Sequence, residues 1–169
     1  IVTGSVRELC AAAAEACNAL GYMPYILTDS LNCKAREAGA FLAAIARAHQ
    51  NTDRSLAFLA GGETVVHLTG SGMGGRNQEL ALSAAEGIAG LRDTAVFSIG
   101  SDGTDGPTDA AGGFVTGQTK DDLGKKGIQI FDVLKNNDSY HALKLCDGLL
   151  HTGATGTNVN DVAVLLIRR

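Results

Sequence analysis

The sequence predicts an α/β domain, a mixed sheet flanked by helices, and three observations carry the prediction. Apolar residues recur at helical spacing in several separate stretches, and short β-rich runs alternate with them. Two of those runs, SLAFLA and ETVVHLT, are separated by Gly61 and Gly62 in the form of a hairpin, which makes the sheet mixed. At 169 residues, 45% apolar and 19% charged, the chain can bury one good core. A single domain over residues 1–169 is therefore expected, with a helical lead-in over 1–50 and a core over 51–169, without linker or repeat.

The elements follow in order. Ser5 can cap a helix that runs to Leu20 and stops at Gly21, with Cys10 and Cys17 on the same face as Leu9 and Leu20. YMPYIL reads as a short strand, and Asp29 with Ser30 as turn chemistry after it. Residues 34–49 place Ala38, Leu42, Ile45 and His49 on one helical face. After the two β-rich runs comes the loop GSGMGG, then a helix whose Leu80, Ala81, Ala84, Ala85 and Ile88 form a buried stripe, with Gly87 and Gly90 at its frayed end. AVFSIG is the next strand. Asn137 or Asp138 can cap a short helix SYHALKLC, and the chain closes with a strand, a polar loop and a last strand.

Composition excludes several function classes. The net charge is −4 and the 14 Lys and Arg are scattered, with no basic cluster interleaved with aromatics, so no nucleic-acid partner is expected. The longest apolar runs are far too short to span a bilayer and the first residues do not read as a signal peptide, so no membrane partner is expected and the chain reads as cytoplasmic. None of the four cysteines pairs into a CxxC or lies at ligand spacing from a histidine, so metal binding through thiols is not expected; Cys10 and Cys17 read as core filling, and Cys33 and Cys146 carry no motif. Twenty-two glycines beside two prolines point instead to tight loops with close backbone approach.

Three loops are candidates for chemistry. In GSGMGG, Gly70, Gly72, Gly74 and Gly75 have the spacing of a dinucleotide fingerprint, and the helix that follows would add its N-terminal partial charge. The acidic residue such a fold needs about twenty positions on is missing: Asp102 lies 27 residues beyond Gly75, inside another loop. Nicotinamide, another phosphate or carboxylate, and a purely structural turn all remain open. Arg76 opens the helix and offers planar, bidentate recognition of an oxyanion, with Asn77, Gln78 and Glu79 as unusually polar neighbours. The loop SDGTDGPTDAAGG sets Asp102, Asp105 and Asp109 beyond a strand end, where they could hold Mg²⁺, order hydroxyl groups, or only make turns. The third loop, TGATGTNVND, offers neutral hydrogen-bond partners in Thr155, Thr157 and Asn158, or satisfies its own backbone. No GxSxG occurs, and His67, His141 and His151 form no recognisable nucleophile set.

With these residues assembled, the chain resembles the C-terminal, MOFRL-type domain of the class II glycerate kinases, some of which also carry the name hydroxypyruvate reductase. GGETVVHLTGSGMGGRNQELAL, SIGSDGTDGPTDAAGG and NNDSYHALKLCDGLLHTGATGTNVNDV are similar to the family's three signature blocks in the same order. Ala154 departs from an expected proline, a change in loop stiffness more than in chemistry. Family members are considerably longer, with an N-terminal Rossmann-like domain carrying a catalytic lysine and an aspartate, so the chain reads as a fragment whose partner is that absent domain.

The resemblance implies ATP-dependent phosphorylation of D-glycerate to 2-phosphoglycerate in an interdomain cleft, with ATP and Mg²⁺ as cofactors and glycerate as the small hydroxy-acid substrate. It implies that Arg76 binds the glycerate carboxylate or the transferring phosphoryl group, and that Asp102 and Asp105 order Mg²⁺ or the substrate hydroxyl. The glycines of the first loop, Asn77 and Thr104 would line the ligand, and Thr155, Thr157 and Asn158 the far wall. Two other readings stand beside it: an NAD(P)H-dependent hydroxypyruvate reductase with GSGMGG as the cofactor cradle, and a non-catalytic module that binds a small anion.

Overall fold

In the computed structural model, which describes residues 4–169, Ser5 caps the first helix through its side chain, accepting the Glu8 N–H at 3.2 Å. The first three residues of the lead-in lie outside the described residues. Helix α1 (Val6–Ala19) buries Cys10 and Cys17 against Ala57, Leu59, Val162 and Val164, as core filling requires. Leu20, expected on that face, is 77% exposed because the helix has ended before it. Strand β1 (Met23–Leu31) runs through Asp29 and Ser30 instead of turning there. The turn chemistry survives as an irregularity: Thr28 Oγ1 accepts the Ser30 N–H, and the register slips on both sides of Thr28 in this edge strand.

The glycine pair does not make a hairpin. Strand β2 (Leu56–Gly62) includes both glycines and is hydrogen-bonded on both edges, parallel to β1 and antiparallel to β6 (Asp161–Ile167), so no adjacent edge is free for residues 63–69. Those residues leave the sheet: the Glu63 N–H still donates to the Leu31 carbonyl at the end of β1, and Val65 then bridges to Lys34 at the start of α2. A side chain at Gly61 would strike Cys10 and Val6, and one at Gly62, where φ is +147°, would strike the Leu31 backbone. The glycines thus report close packing, which sequence alone does not separate from a turn.

Strands β3 (Thr94–Gly100), β4 (Gly112–Thr116) and the two-residue β5 (Leu149–Leu150) complete a six-stranded mixed sheet in the order β1-β2-β6-β3-β4-β5. Its register fixes the site: Asp161 at the start of β6 is level with Gly62 at the end of β2 and with Gly100 at the end of β3. Whatever follows β2 and β3 must therefore emerge beside Asp161. Helices α2 (Ala35–Ala48) and α3 (Arg76–Ile88) cover one face, and the predicted stripe of Leu80, Ala81, Ala84, Ala85 and Ile88 is fully buried there. On α2 the predicted face holds at Ala38 and Leu42, while His49 lies past the helix end, its ring 4.9 Å from that of Phe58. Three short helices, α4 (Thr119–Lys125), α5 (Ile130–Lys135) and α6 (Ser139–Leu145), lie between β4 and β5. No helix among the described residues is long and apolar enough to cross a membrane.

The α2–α3 contact is made by small residues, including Ala35, Ala38, Gly39, Ala43 and Ala46 against Ala81, Ala84 and Ala85, which lets the two backbones approach closely. A methyl group at Gly39 would press on the Leu80 carbonyl and on Ser83 and Ala84, whereas one at Gly124 in α4 meets nothing within 4 Å. Alanine improves helix propensity at both positions by up to about 1 kcal/mol. Gly124→Ala is expected to stabilise by about 0.5–1 kcal/mol, and Gly39→Ala to destabilise by about 1–3 kcal/mol through overpacking. Urea unfolding of the two variants checks this; equal shifts of the same sign would show that α2 and α3 have room to part.

Candidate functional site

The chain between β2 and α3 does not float as an open cradle. It lies on the α5–α6 turn, and the side chains that its glycines lack would occupy protein rather than ligand space. A Cβ at Gly70 would meet Asn136, one at Gly72 Asp138 and Asn136, one at Gly74 Ser139, and one at Gly75 the Asp105 carboxylate. The N–H groups are taken in the same way. Asn137, held at φ 55°, turns its Oδ1 to the Thr69 and Gly70 N–H groups at 2.7 and 2.9 Å. Asn136 accepts from Ser71 through its side chain and from Gly72 through its carbonyl, and Asp138 Oδ1 accepts from Met73 at 2.9 Å. Asp138 thus sits at the start of α6 but spends its carboxylate on the glycine loop and on His141 instead of capping its own helix. Among the described residues, the N–H groups of Gly74, Gly75 and Arg76 alone in the run 69–79 have no protein acceptor.

Helix α3 begins at a glycine N-cap and so supplies no capping side chain of its own. Asp105, from the acidic loop, supplies it: its carboxylate accepts the Asn77 N–H at 3.1 Å, the Gln78 N–H at 2.9 Å and Asn77 Nδ2 at 3.2 Å. Burial pushes the Asp105 carboxyl up, and the bonds from Asn77 and Gln78 pull it back only in part. The polar triplet after Arg76 is buried, not solvated. Asn77 accepts from Ser98 at 2.5 Å and Gln78 donates to the Asp105 carbonyl and Thr108. Glu79 takes Arg36 Nε at 3.1 Å and Asn137 Nδ2 at 3.2 Å. Asn77, read from sequence as a ligand-binding residue, therefore has its side chain committed to the interior.

Arg76 projects from the first turn of α3 toward Asp161. Its Nε and Nη2 donate to the two Asp161 carboxylate oxygens at 2.6 and 3.2 Å, and Nη1 donates to Glu63 at 2.5 Å. Asp161 is nearly buried, Glu63 is exposed, and the Arg76 side chain is about one-third exposed. Burial works against the guanidinium charge, but the Asp161 and Glu63 carboxylates outweigh it and hold its pKa above the ordinary arginine value.

These pieces surround a cavity of ≈570 Å³, lined by Gly70, Gly72, Gly74, Gly75 and Arg76 on one side and by Asp102, Thr104 and Asp105 on the other, with Val66, Leu68, Glu79 and Asn137 also reaching it. Asp102 is half-buried; its Oδ1 accepts the Thr104 N–H and hydroxyl at 2.9 and 3.0 Å, leaving Oδ2 without a bonded partner among the described residues. Asp109 lies elsewhere, with Tyr140 Oη at 2.8 Å and His151 at 3.5 Å. The third loop does not line this cavity. Thr155, Thr157 and Asn158 are exposed; Thr155 donates to the Ser101 carbonyl, Thr157 donates its N–H to Thr155, and Asn158 accepts from Asn160, so the loop braces the acidic one.

No three of the described His, Cys, Asp and Glu side chains are grouped to hold a metal ion. A protein-built cage is thus missing among them, but Mg²⁺ commonly uses one or two carboxylates and completes its shell with water and phosphate oxygens. The free Oδ2 of Asp102 fits that donor set. Glu63 and Asn137 are contributors that loop chemistry alone does not reveal. Glu63 stands in a run that reads as strand, and Asn137 reads as a helix cap.

Residues 56–161 match the MOFRL family. The chain is 51% identical to a D-glycerate 2-kinase of Thermotoga maritima over 97% of its own length and 40% of that protein, and 44% identical to a glycerate 2-kinase of Pyrococcus horikoshii over 94% of its length and 37% of that protein. A crystal structure of glycerate kinase from Thermotoga maritima matches with a TM-score of 0.93 at 51% identity, covering 97% of this chain and 41% of that one. The chain thus spans about 40% of the length of these two relatives. The family match and these identities place it: the chain belongs to the MOFRL family.

Proposed function

We propose that this chain forms one wall of the active site of a kinase that transfers the γ-phosphoryl group of ATP to D-glycerate, giving 2-phosphoglycerate, with the other wall supplied by a further domain. The observation that carries the reading is the ≈570 Å³ cavity in which Arg76, three unspent N–H groups and the free Asp102 oxygen meet. A phosphoryl transfer site needs positioned cationic and N–H donors for oxyanions, and an acidic group for a cation or a hydroxyl, more than it needs a covalent nucleophile. ATP and Mg²⁺, when bound, would supply the phosphoryl group and neutralise its charge.

The chain's own residues divide the work. Arg76 donates to a glycerate carboxylate or phosphoryl oxygen through the N–H groups that Asp161 and Glu63 leave free, helped by the Gly74 and Gly75 N–H groups at the start of α3. Asp102 Oδ2 faces a hydrated cation or the substrate hydroxyl, its other oxygen anchored by Thr104. Asp105 holds the start of α3 in place without touching substrate, because its carboxylate is spent on Asn77 and Gln78. The reductase reading is weaker, since a pyrophosphate cradle requires the N–H groups of residues 69–73, and Asn136, Asn137 and Asp138 already bind them.

Replacing Arg76 by Ala would also strand the buried Asp161 carboxylate, so Arg76→Lys, which keeps the charge but loses the planar fork, is the sharper test. In protein of the relatives' full length carrying this segment, Arg76→Ala is expected to lower kcat/KM for D-glycerate phosphorylation by about 10²–10³-fold, or about 3–4 kcal/mol, with Arg76→Lys recovering only part. A coupled assay for ADP release measures it, and near-normal turnover in Arg76→Ala sinks the assignment. The 169-residue chain alone is expected to release no ADP with ATP and D-glycerate in the same assay.

For Asp105 the expectation concerns stability and its pH dependence. Because burial raises this carboxyl, the folded protein retains its proton over an interval where the unfolded chain has released it. The stability contributed by the group therefore falls as pH rises from about 4 through its folded pKa. Asp105→Asn should be the less stable protein by about 1–3 kcal/mol near pH 4, and the wild-type advantage should shrink toward neutral pH. Unfolding free energies of both proteins at several pH values test this; an advantage that grows with pH contradicts it.

A further inference from the structure

Arg76 carries five N–H groups, and three are engaged. Asp161 takes the Nε–Nη2 edge with both its oxygens, the geometry of a bidentate fork. The only other two-nitrogen edge is Nη1–Nη2, and Glu63 already sits on Nη1. An oxyanion arriving on that edge must meet the Glu63 carboxylate.

The two carboxylates differ in how firmly they are held. Asp161 is nearly buried, belongs to β6 and is level with the ends of β2 and β3, so it moves only with the sheet. Glu63 has an exposed side chain whose single hydrogen bond among the described residues is the one to Arg76, although its backbone is tied to the Leu31 carbonyl. Releasing its carboxylate to water strands nothing, because water replaces the lost partner.

We propose that Glu63 is an internal competitor at the anion site, holding Arg76 Nη1 until a small oxyanion, carboxylate or phosphate, displaces it, while Asp161 keeps the guanidinium aimed. Glu63 thus sets the affinity of the site, and Asp161 is a positioning residue. This rests on the reading above that Arg76 binds an oxyanion. Before an anion arrives the Glu63 contact helps hold the guanidinium at the cavity wall, and on binding one carboxylate leaves as another anion takes its place, so the local charge does not build up.

The test is titration of the 169-residue protein with inorganic phosphate and, separately, D-glycerate, followed by NMR at the Arg76 Nε–H and the Gly74 and Gly75 amides. Glu63→Gln should bind at least one of these oxyanions about two- to fivefold more tightly, the weight of an exposed ion pair, with the gain shrinking at high salt. The ligand whose affinity rises identifies the oxyanion class that Arg76 takes. The double variant Arg76→Met/Asp161→Asn, which leaves no unpaired buried charge, should lose the response. Unchanged or weaker binding by Glu63→Gln, with binding lost in the double variant, overturns the role of Glu63 and leaves Arg76 as the anion residue. Binding that persists in the double variant, or no response in any protein, overturns both.

Discussion

The stretch from Thr69 to Gln78 presents a run of backbone N–H donors that its own side chains cannot satisfy, and the arrangement of the site follows from how they are satisfied. A buried helix start with a glycine N-cap leaves orphan donors, each costly if unpaired. Asp105 supplies acceptors from the loop after β3, and Asn136, Asn137 and Asp138 supply them from the α5–α6 turn. Three segments distant in sequence are thereby fixed to one another, and the cavity is the space their backbones leave between them. Asn137 links the two sides of this bonding most directly: its oxygen serves the loop, and its nitrogen serves the His67 carbonyl and Glu79.

The same constraint explains which parts were legible in the sequence. The α3 stripe and the Ser5 cap follow from helical spacing and cap chemistry, both local signals, and the structure reproduces them. A mixed sheet is also legible, but not through the Gly61–Gly62 hairpin: the antiparallel pairs are β3–β4, β4–β5 and those made by β6 between β2 and β3, the last a long-range pairing that no local pattern displays. In the candidate site, Arg76, Asp102 and Thr104 could be singled out because their residue types are unusual at a helix start and a strand end, and all three line the cavity. The partners of Arg76 were hidden. Glu63 and Asp161 lie 13 and 85 residues from it, and only the sheet register brings them to one point.

Glycine spacing misled for a related reason. A residue without Cβ lets another group come close, and the spacing says nothing about what that group is. At Gly70, Gly72 and Gly74 it is the α5–α6 turn, and at Gly75 it is a carboxylate of the protein itself. Asp105 occupies the position at the start of α3 where an anionic ligand would sit in a dinucleotide fold. The fingerprint is therefore met by an internal anion, which leaves a narrower donor set, Gly74 to Arg76, for anything that arrives from outside.

That narrowing shapes the electrostatics. Asp102, Asp105, Glu79, Glu63 and Asp161 gather near one cavity, yet most of their oxygens already have donors: Asp105 is tied to α3, Glu79 to Arg36 and Asn137, Asp161 to Arg76. A carboxylate satisfied in this way is fixed in direction and contributes order more than reactivity. Among the described residues, groups with capacity left include the free oxygen of Asp102, the N–H groups of Gly74 to Arg76, and the Nη1–Nη2 edge that Glu63 guards. The Asp102 oxygen facing a short row of donors across the cavity suits a ligand that carries an oxyanion at one end and a hydroxyl or cation at the other. The surrounding charged residues are then best understood as the frame that keeps those few atoms in place.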